Sequence, residues 1–252
     1  MQGQPVEATV RFSNGAGDPG EPDYAEGVRG MAAKFYLPGG SRTDISAQTV
    51  PRFPVRTPDA FIELVEAASA GLSRAWKLPL FLVRHREALP ALRVNAPALK
   101  PPPSYATCEY YAIHAFKWVG ADGGERYVRY TWIPETSDER LSDDQAKSRG
   151  PDYLQEEIRE RLEHAPVRFS LQLQIAAEDD SVDDPTAVWP DERETVDAGV
   201  LEVTGLDTER ETGDDVLVFD PMRLTDGIEG SDDPVLRFRP GSYSASVERR
   251  IS

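Results

Sequence analysis

The sequence predicts an α+β fold, in which helices surround an antiparallel β-barrel or curled sheet. Three short strand-like runs near residues 6–13, 30–37 and 43–47 are separated by turns rich in Gly and Pro, which predicts a β-meander. Further alternating or apolar runs predict strands at residues 110–119, 126–132, 167–176 and 198–204. A chain of 252 residues can bury a substantial core, and we expect residues 1–252 to form a single domain.

Helices are predicted between these strands. From Pro58 to Leu72 the apolar residues recur with helical spacing, and Pro58 suits a first turn. A short helix is predicted over residues 80–89, because Pro79 suits its start and Pro90 its end. A charged helix is expected to end near His164.

Composition limits the partners and the location. The formal net charge of −16 disfavours binding to nucleic acid or to an anionic membrane. The single cysteine, Cys108, excludes an intramolecular disulfide and a multi-cysteine metal site. No apolar run approaches the roughly 18 residues of a membrane span, and the first residues do not form a signal peptide. A cytoplasmic location is therefore expected, and a start upstream of Met1 would leave a periplasmic location open.

The most informative spacing lies near the end of the sequence. On a helix, Arg239, Tyr243 and Arg250 would lie on roughly one face, since they are separated by four and seven residues. A tyrosine one turn from an arginine suits a stabilised phenolate, which is a ligand for haem iron. Pro240 is expected to kink this helix because it removes a backbone donor. The spacing alone also suits an amphipathic helix with a core tyrosine and two solvated arginines.

Five motifs in the sequence point to one protein family. They are Val10-Arg11-Phe12-Ser13, Arg29-Gly30-Met31-Ala32, Pro51-Arg52-Phe53, His114-Ala115-Phe116-Lys117, and the stretch from Phe219-Asp220-Pro221 to Tyr243. Together they resemble the haem catalases, and most closely the small catalase-related peroxidases, over nearly the whole chain. The resemblance implies a catalase-like barrel, haem b as the cofactor, and a peroxide as the substrate. An uncharged peroxide would need no charged funnel, which is compatible with an acidic protein.

For one side of the haem, the resemblance implies a relay of side chains behind the iron. Tyr243 would be the axial ligand of the iron, and Arg239 would support its negative charge during catalysis. His114 and Asp233 would hold that arginine in place. Arg250 would bind a haem propionate, because a guanidinium group matches a carboxylate. No metal other than the haem iron is expected.

For the other side, the resemblance assigns Arg11 to the second propionate. Ser13 and Gln48 would be the polar catalytic groups near the peroxide. Val10, Phe53 and Phe61 would line the cofactor, although ordinary core packing is the more common reason for each aromatic residue taken alone.

Two departures from the family pattern concern this peroxide-binding side. The family carries a histidine acid–base on the strand before the Val10-Arg11-Phe12-Ser13 motif, and this sequence begins too late to contain it. None of His85, His114 and His164 falls in a matching place. The family also has an asparagine where this chain has Gln48, whose side chain is one methylene longer.

These observations lead to three alternative functions. The first is a haem-dependent enzyme with peroxidase or weak catalase activity, which reduces hydrogen peroxide with an unidentified reductant. The second is a haem-binding protein with little or no turnover, because a positioned base is worth about 10²–10⁴ in rate. The third is an enzyme for organic or lipid hydroperoxides, with Gln48 reshaping the pocket. No nucleic acid or membrane is expected as a partner, and the protein is expected to be a monomer or a simple homodimer.

Overall fold

The computed structural model describes residues 3–15, 20–137, 139–208 and 217–241. Two of the predicted site residues, Tyr243 and Arg250, lie outside the described residues. That all 252 residues form one domain stays a prediction.

The strands form one antiparallel sheet, as the alternating runs predicted. β1 to β7 follow one another across the sheet in chain order, and β8 pairs with β4. The described strands are β1 Ala8–Asn14, β2 Arg29–Tyr36, β3 Arg42–Gln48, β4 Tyr110–Val119, β5 Glu125–Pro134, β6 Val167–Ile175, β7 Thr195–Val203 and β8 Ile228–Gly230.

The sheet curls around an aromatic core. The first and last strands of the path, β1 and β7, both line one cavity of about 1360 Å³, so the two edges of the sheet face each other. On the inner face, Phe12 stacks on Tyr105 with 5.4 Å between ring centroids. The Phe12 ring also lies 6.1 Å from those of Tyr110 and Phe169. This inner face carries the main core and leaves the outer face of β1–β3 for other contacts.

The helices lie between and after the strands. Thr57 caps α1 by accepting a hydrogen bond from the backbone N–H of Ala60, and Pro58 occupies the first turn. Phe81 is the largest buried side chain of a small separate core shared by α1, α2 and α3. None of the helices within the described ranges is both long enough and apolar enough to cross a membrane. The helices are α1 Pro58–Ala68, α2 Arg74–Arg84, α3 Ala88–Leu99, α4 Asp143–Ser148, α5 Tyr153–His164, and α6 over residues 234–241.

The predicted helix over residues 80–89 is wrong. The structure has two helices there, because α2 continues through Pro79 to Arg84 and α3 starts at Ala88. Pro90 is the third residue of α3, where a backbone N–H has no partner within the helix, so proline is tolerated. Pro79 is exposed inside α2, and the helix continues past it. Helix α1 is also shorter than predicted, ending at Ala68.

Candidate functional site

The predicted polar residues Ser13 and Gln48 share one face of the sheet. Gly30 on β2 lies opposite Ser13 on one side and opposite Gln48 on the other. Directly paired residues of antiparallel strands point to the same face, so both side chains lie on the outer face. Two strand spacings separate their backbones, about 10 Å.

Gly30 makes room for the Ser13 side chain. A Cβ atom at position 30 would lie only 2.8 Å from the Ser13 Oγ atom, so the hydroxyl occupies the space above this glycine. Gln48 is half-buried, and its Nε2 donates one long hydrogen bond of 3.5 Å to the Val50 carbonyl. Ser13, Gly30 and Gln48 therefore form a row across the outer face, the Ser13–Gln48 row. In this row, a hydroxyl and an amide lie on either side of a residue that has no side chain.

Arg11 lies on the same face as Ser13, two residues away on β1. Its guanidinium carbon is 5.0 Å from the centre of the Phe219 ring. Val10 points to the opposite face and packs against the main core. The structure therefore brings Arg11 and Ser13 together and does not bring Val10 to them.

A buried ion pair beside Arg11 anchors the segment that contains Phe219. The Lys34 Nζ atom lies 2.6 and 2.7 Å from the two carboxylate oxygens of Asp44, and both side chains are fully buried. Asp44 also accepts hydrogen bonds of 2.7 Å from Arg223 and 2.8 Å from the Asp220 N–H. Burial lowers the pKa of Lys34, although Asp44 acts to raise it. This cluster was not predicted from the sequence.

The two predicted aromatic residues also come together. The ring centroids of Phe53 and Phe61 are 4.9 Å apart, with the planes tilted by 36°. Phe53 packs on the small core of α1–α3. Phe61, on α1, is 37% exposed.

The pair formed by His114 and Asp233 is also deeply buried. The His114 Nδ1 atom lies 2.6 Å from the Asp233 Oδ2 atom, and both side chains are at most 3% exposed. These residues are 119 positions apart in the sequence. They meet because β8 pairs with β4 and the Ser231 N–H donates to the Ala115 carbonyl.

Asp233 also accepts hydrogen bonds from the backbone at the start of α6. Its Oδ1 atom accepts hydrogen bonds from the N–H groups of Val235 at 2.8 Å and Leu236 at 3.3 Å. This is the geometry of a helix N-cap. Both oxygens of the Asp233 carboxylate are therefore engaged.

The surroundings of His114 favour its neutral form. Burial lowers the pKa of His114, and the nearby charge of Arg239 lowers it further, although Asp233 acts to raise it. A neutral ring that donates from Nδ1 to Asp233 leaves Nε2 as an acceptor. Arg239 is half-buried on α6, which continues through Pro240 to residue 241. In the described ranges, no carboxylate forms an ion pair with Arg239.

Arg129 lies behind this pair and was also missed by the sequence analysis. Its guanidinium carbon is 4.4 Å from the centre of the Trp189 ring, and it donates to the carbonyls of Ala187 and Asp184. Burial lowers the pKa of Arg129 to about 10, although Asp233 acts to raise it. The only signal in the sequence is a charged residue within a run of buried strand residues.

The other two of the three histidines in the sequence lie elsewhere. The ring nitrogens of His85 are each 3.1 Å from a carboxylate, of Glu63 and Glu87. Although burial acts to lower it, these carboxylates raise the pKa of His85. His164 lies 2.8 Å from the Glu160 carbonyl in its own helix. Within the described part of the chain, no group of three or more His, Cys, Asp or Glu side chains is suited to hold a metal ion.

Comparisons with known proteins agree in family and fold. The sequence model described as Catalase matches residues 1–252. A catalase-related peroxidase from Mycolicibacterium paratuberculosis is 49% identical over 250 residues, which cover 99% of this chain and 80% of the relative. A catalase-related peroxidase from Synechococcus elongatus is 31% identical, with 99% of this chain and 75% of the relative covered.

Solved structures show the same architecture. A fungal catalase superposes with a TM-score of 0.88 at 25% identity, covering 97% of this chain and 52% of that protein. Catalase A from Saccharomyces cerevisiae gives 0.88 at 23% identity, covering 98% and 54%. The chain thus spans about half the length of these two solved structures, and the predicted α+β fold with its curled antiparallel sheet is confirmed.

Proposed function

This chain belongs to the catalase family, and on that premise we propose that it is a haem-dependent peroxidase that reduces hydrogen peroxide or an organic hydroperoxide. The observation that carries the proposal is the buried contact of 2.6 Å between His114 and Asp233, at the start of the helix that bears Arg239. An external reductant would complete the reaction.

The residues around α6 would suit a haem whose iron is bound by an anion. Asp233 is fully engaged by His114 and by the helix backbone, so its charge is not available to pair directly with Arg239. The positive charge of Arg239 beside a neutral imidazole therefore favours another anion nearby. In this proposal the anion is the phenolate of Tyr243, four residues further along the chain, which would bind the iron.

Each residue behind the iron would have a defined task. Arg239 would stabilise the ionised form of Tyr243, and the acceptor nitrogen of His114 would orient Arg239. Asp233 would fix the tautomer of His114. When bound, the haem would supply the redox chemistry that breaks the O–O bond of the peroxide.

The remaining residues would bind the cofactor and the peroxide. Arg11 would bind one haem propionate and Arg250 the other, through bidentate contacts. The amide of Gln48 and the hydroxyl of Ser13 would form hydrogen bonds with the peroxide oxygens. Phe53 and Phe61 would limit the access of water. Val10, on the opposite face, would only pack behind this strand.

Replacing the iron ligand tests the proposal. Tyr243→Phe removes the phenolic oxygen, so protein expressed with haem supplied should lose tight haem binding and the optical spectrum of a ferric tyrosinate complex. Tyr127→Phe, at a half-buried tyrosine on β5, is the matched control and should keep both. An unchanged haem content in Tyr243→Phe would contradict the ligand assignment.

One observation favours a second candidate, a haem-binding protein that does not turn over peroxide. His85, His114 and His164 each make a hydrogen-bonding contact away from the Ser13–Gln48 row, so none of these three side chains serves as a base in this row. A haem spectrum that changes with peroxide and recovers with added reductant would support the peroxidase. Bleaching without recovery would support the binding protein.

A further inference from the structure

Helix α2 turns an apolar stripe towards solvent. Trp76, Leu80 and Val83 are spaced four and seven residues along the helix, so they lie on one side of it. They are 59%, 40% and 66% exposed, whereas Phe81 on the other side is 1% exposed in the small core. Helix α2 therefore has two apolar sides: one packs in the small core, and the other, the stripe, is exposed.

Apolar side chains are also exposed on the two neighbouring helices. Ile62 and Val65 on α1 are 45% and 46% exposed, and Leu89 and Val94 on α3 are 49% and 47% exposed. Single exposed apolar residues are normal, but a concentration on three successive helices is typical of an interaction surface.

Helix α2 and the residues after it, up to Lys100, are strongly basic, whereas α1 carries the acidic residues Asp59, Glu63 and Glu66. One of these, Glu63, lies 3.1 Å from Arg84 in an ion pair. Lys77 lies beside the stripe, with its Nζ atom 5.9 Å from the centre of the Trp76 ring. Residues 74–100 contain one acidic residue, Glu87, whereas the whole chain carries a formal charge of −16. The six basic residues of this region are Arg74, Lys77, Arg84, Arg86, Arg93 and Lys100.

We propose that α2 is a peripheral docking face for an anionic lipid bilayer. An amphipathic helix with Trp and aliphatic residues on one side and Lys or Arg beside them lies in the boundary between headgroups and acyl chains. Lys77 and Arg74 would keep their charged ends at the lipid phosphates, while their stems cover the apolar boundary.

The positive charge near α2, and not the negative net charge of the whole chain, determines this interaction. Charges interact strongly only within about 8 Å at physiological salt, so a lipid surface responds mainly to the residues that face it. The basic helices would be attracted to an anionic surface, and the acidic remainder would be repelled. The two effects together orient the molecule with α2 towards the lipid.

A second copy of the chain fits the stripe less well. A symmetric dimer through α2 would place the same surface on both sides of the interface, and would bring the two basic borders together. Like charges facing each other oppose association. An anionic surface neutralises them instead.

Co-sedimentation with vesicles tests the proposal. The unmodified protein should bind vesicles of phosphatidylcholine mixed with phosphatidylglycerol, should not bind phosphatidylcholine alone, and should be released by high salt. Lys77→Ser should weaken binding roughly fivefold. Val83→Ser should weaken it roughly tenfold, because the valine no longer enters the lipid.

Val200→Ser on β7 is the matched control. Val200 is 67% exposed, as exposed as Val83, but it lies away from the basic helices, so this variant should bind like the unmodified protein. In addition, the fluorescence of the exposed Trp76 should shift to shorter wavelength on mixed vesicles, and Trp76→Phe should remove this shift. These measurements need neither haem nor peroxide, so they are independent of the proposed function.

Three results would overturn the proposal. The first is no binding to the mixed vesicles. The second is binding that Val83→Ser and Val200→Ser weaken equally. The third is a dimer, seen by sedimentation velocity, that Val83→Ser dissociates in a protein that does not bind vesicles, since this result would assign the face to a second copy.

Discussion

Replacing Asp233 by asparagine tests the buried pair at the centre of the candidate site. Asp233 accepts one hydrogen bond from the ring of His114 at 2.6 Å and another from the backbone N–H of Val235 at 2.8 Å. Asparagine keeps one side-chain oxygen and places an NH₂ group at the other position. Either one of the two donors loses its acceptor, or His114 changes its tautomer so that Nδ1 accepts from the new NH₂ group.

The structure gives the expected size of the effect. A hydrogen bond to a charged group contributes about 1.5–3 kcal/mol, and a helix N-cap contributes about 1 kcal/mol. Asp233→Asn retains the cap and a neutral hydrogen bond, so it should lower the free energy of unfolding by about 2 kcal/mol. Asp233→Ala loses both contacts and should cost about 3–4 kcal/mol. For a chain of this length, Asp233→Asn should therefore lower the Tm by about 4–8 °C.

Thermal and urea unfolding followed by circular dichroism would measure this difference. Asp232→Asn is the control, because the neighbouring Asp232 side chain is 95% exposed and only 3.3 Å from Arg237 in a surface ion pair. Its Tm should match that of the unmodified protein. If Asp233→Asn unfolds at the same temperature as Asp232→Asn, the buried pair does not stabilise the fold and the reasoning is refuted. Nitrogen NMR of His114 should show a proton on Nδ1 in the unmodified protein and on Nε2 in Asp233→Asn.

Two further predictions concern stability. Gly30→Ala places a Cβ atom 2.8 Å from the Ser13 Oγ atom, so it should displace that side chain and cost about 1–3 kcal/mol in urea unfolding. In the control Gly205→Ala, the new Cβ atom meets no atom within 4 Å, so the free energy of unfolding should not change. Equal losses of stability in the two variants would contradict the close contact at Gly30. Because burial lowers the pKa of His114 below the usual 6.5, the unfolded chain binds more protons just below pH 6.5, and the free energy of unfolding should fall as the pH drops from 6.5 towards the folded pKa. His114→Gln should flatten this decline, and an unchanged pH dependence would show that His114 does not cause it.

Local patterns in the sequence were sufficient to predict the sheet, whereas the candidate site residues came from the family resemblance. Alternation located the strands, and the same alternation places Arg11 and Ser13 on one face of β1 and Val10 on the other. The prediction that Val10 lines the cofactor together with Arg11 ignored this alternation, because neighbouring residues of a strand point to opposite faces. The helix error has a similar origin, since Pro79 and Pro90 were interpreted as boundaries although both lie inside helices.

Contacts between distant residues could not be predicted from periodicity. No local pattern connects His114 with Asp233, and only the family resemblance placed them together. Lys34 and Asp44 form a buried pair because β2 and β3 align them, and the register of two strands is set by packing over the whole sheet. Whether Tyr243 completes the site stays a prediction.

Strand β4 connects the two halves of the candidate site. Its residue Tyr111 pairs with Gln48 at the end of β3, and His114 follows three residues later on the same strand, a distance of about 10 Å along the chain. The pairing of β4 with β5 is regular up to Ala112, shifts, and resumes at Phe116. This irregularity brackets His114, and such bulges redirect a side chain out of the regular alternation. The bulge thus accounts for an imidazole that turns to Asp233 from a strand whose neighbouring residues Ala112 and Phe116 pack in the core. In consequence, one continuous strand links the backbone of His114 to the position that pairs with Gln48.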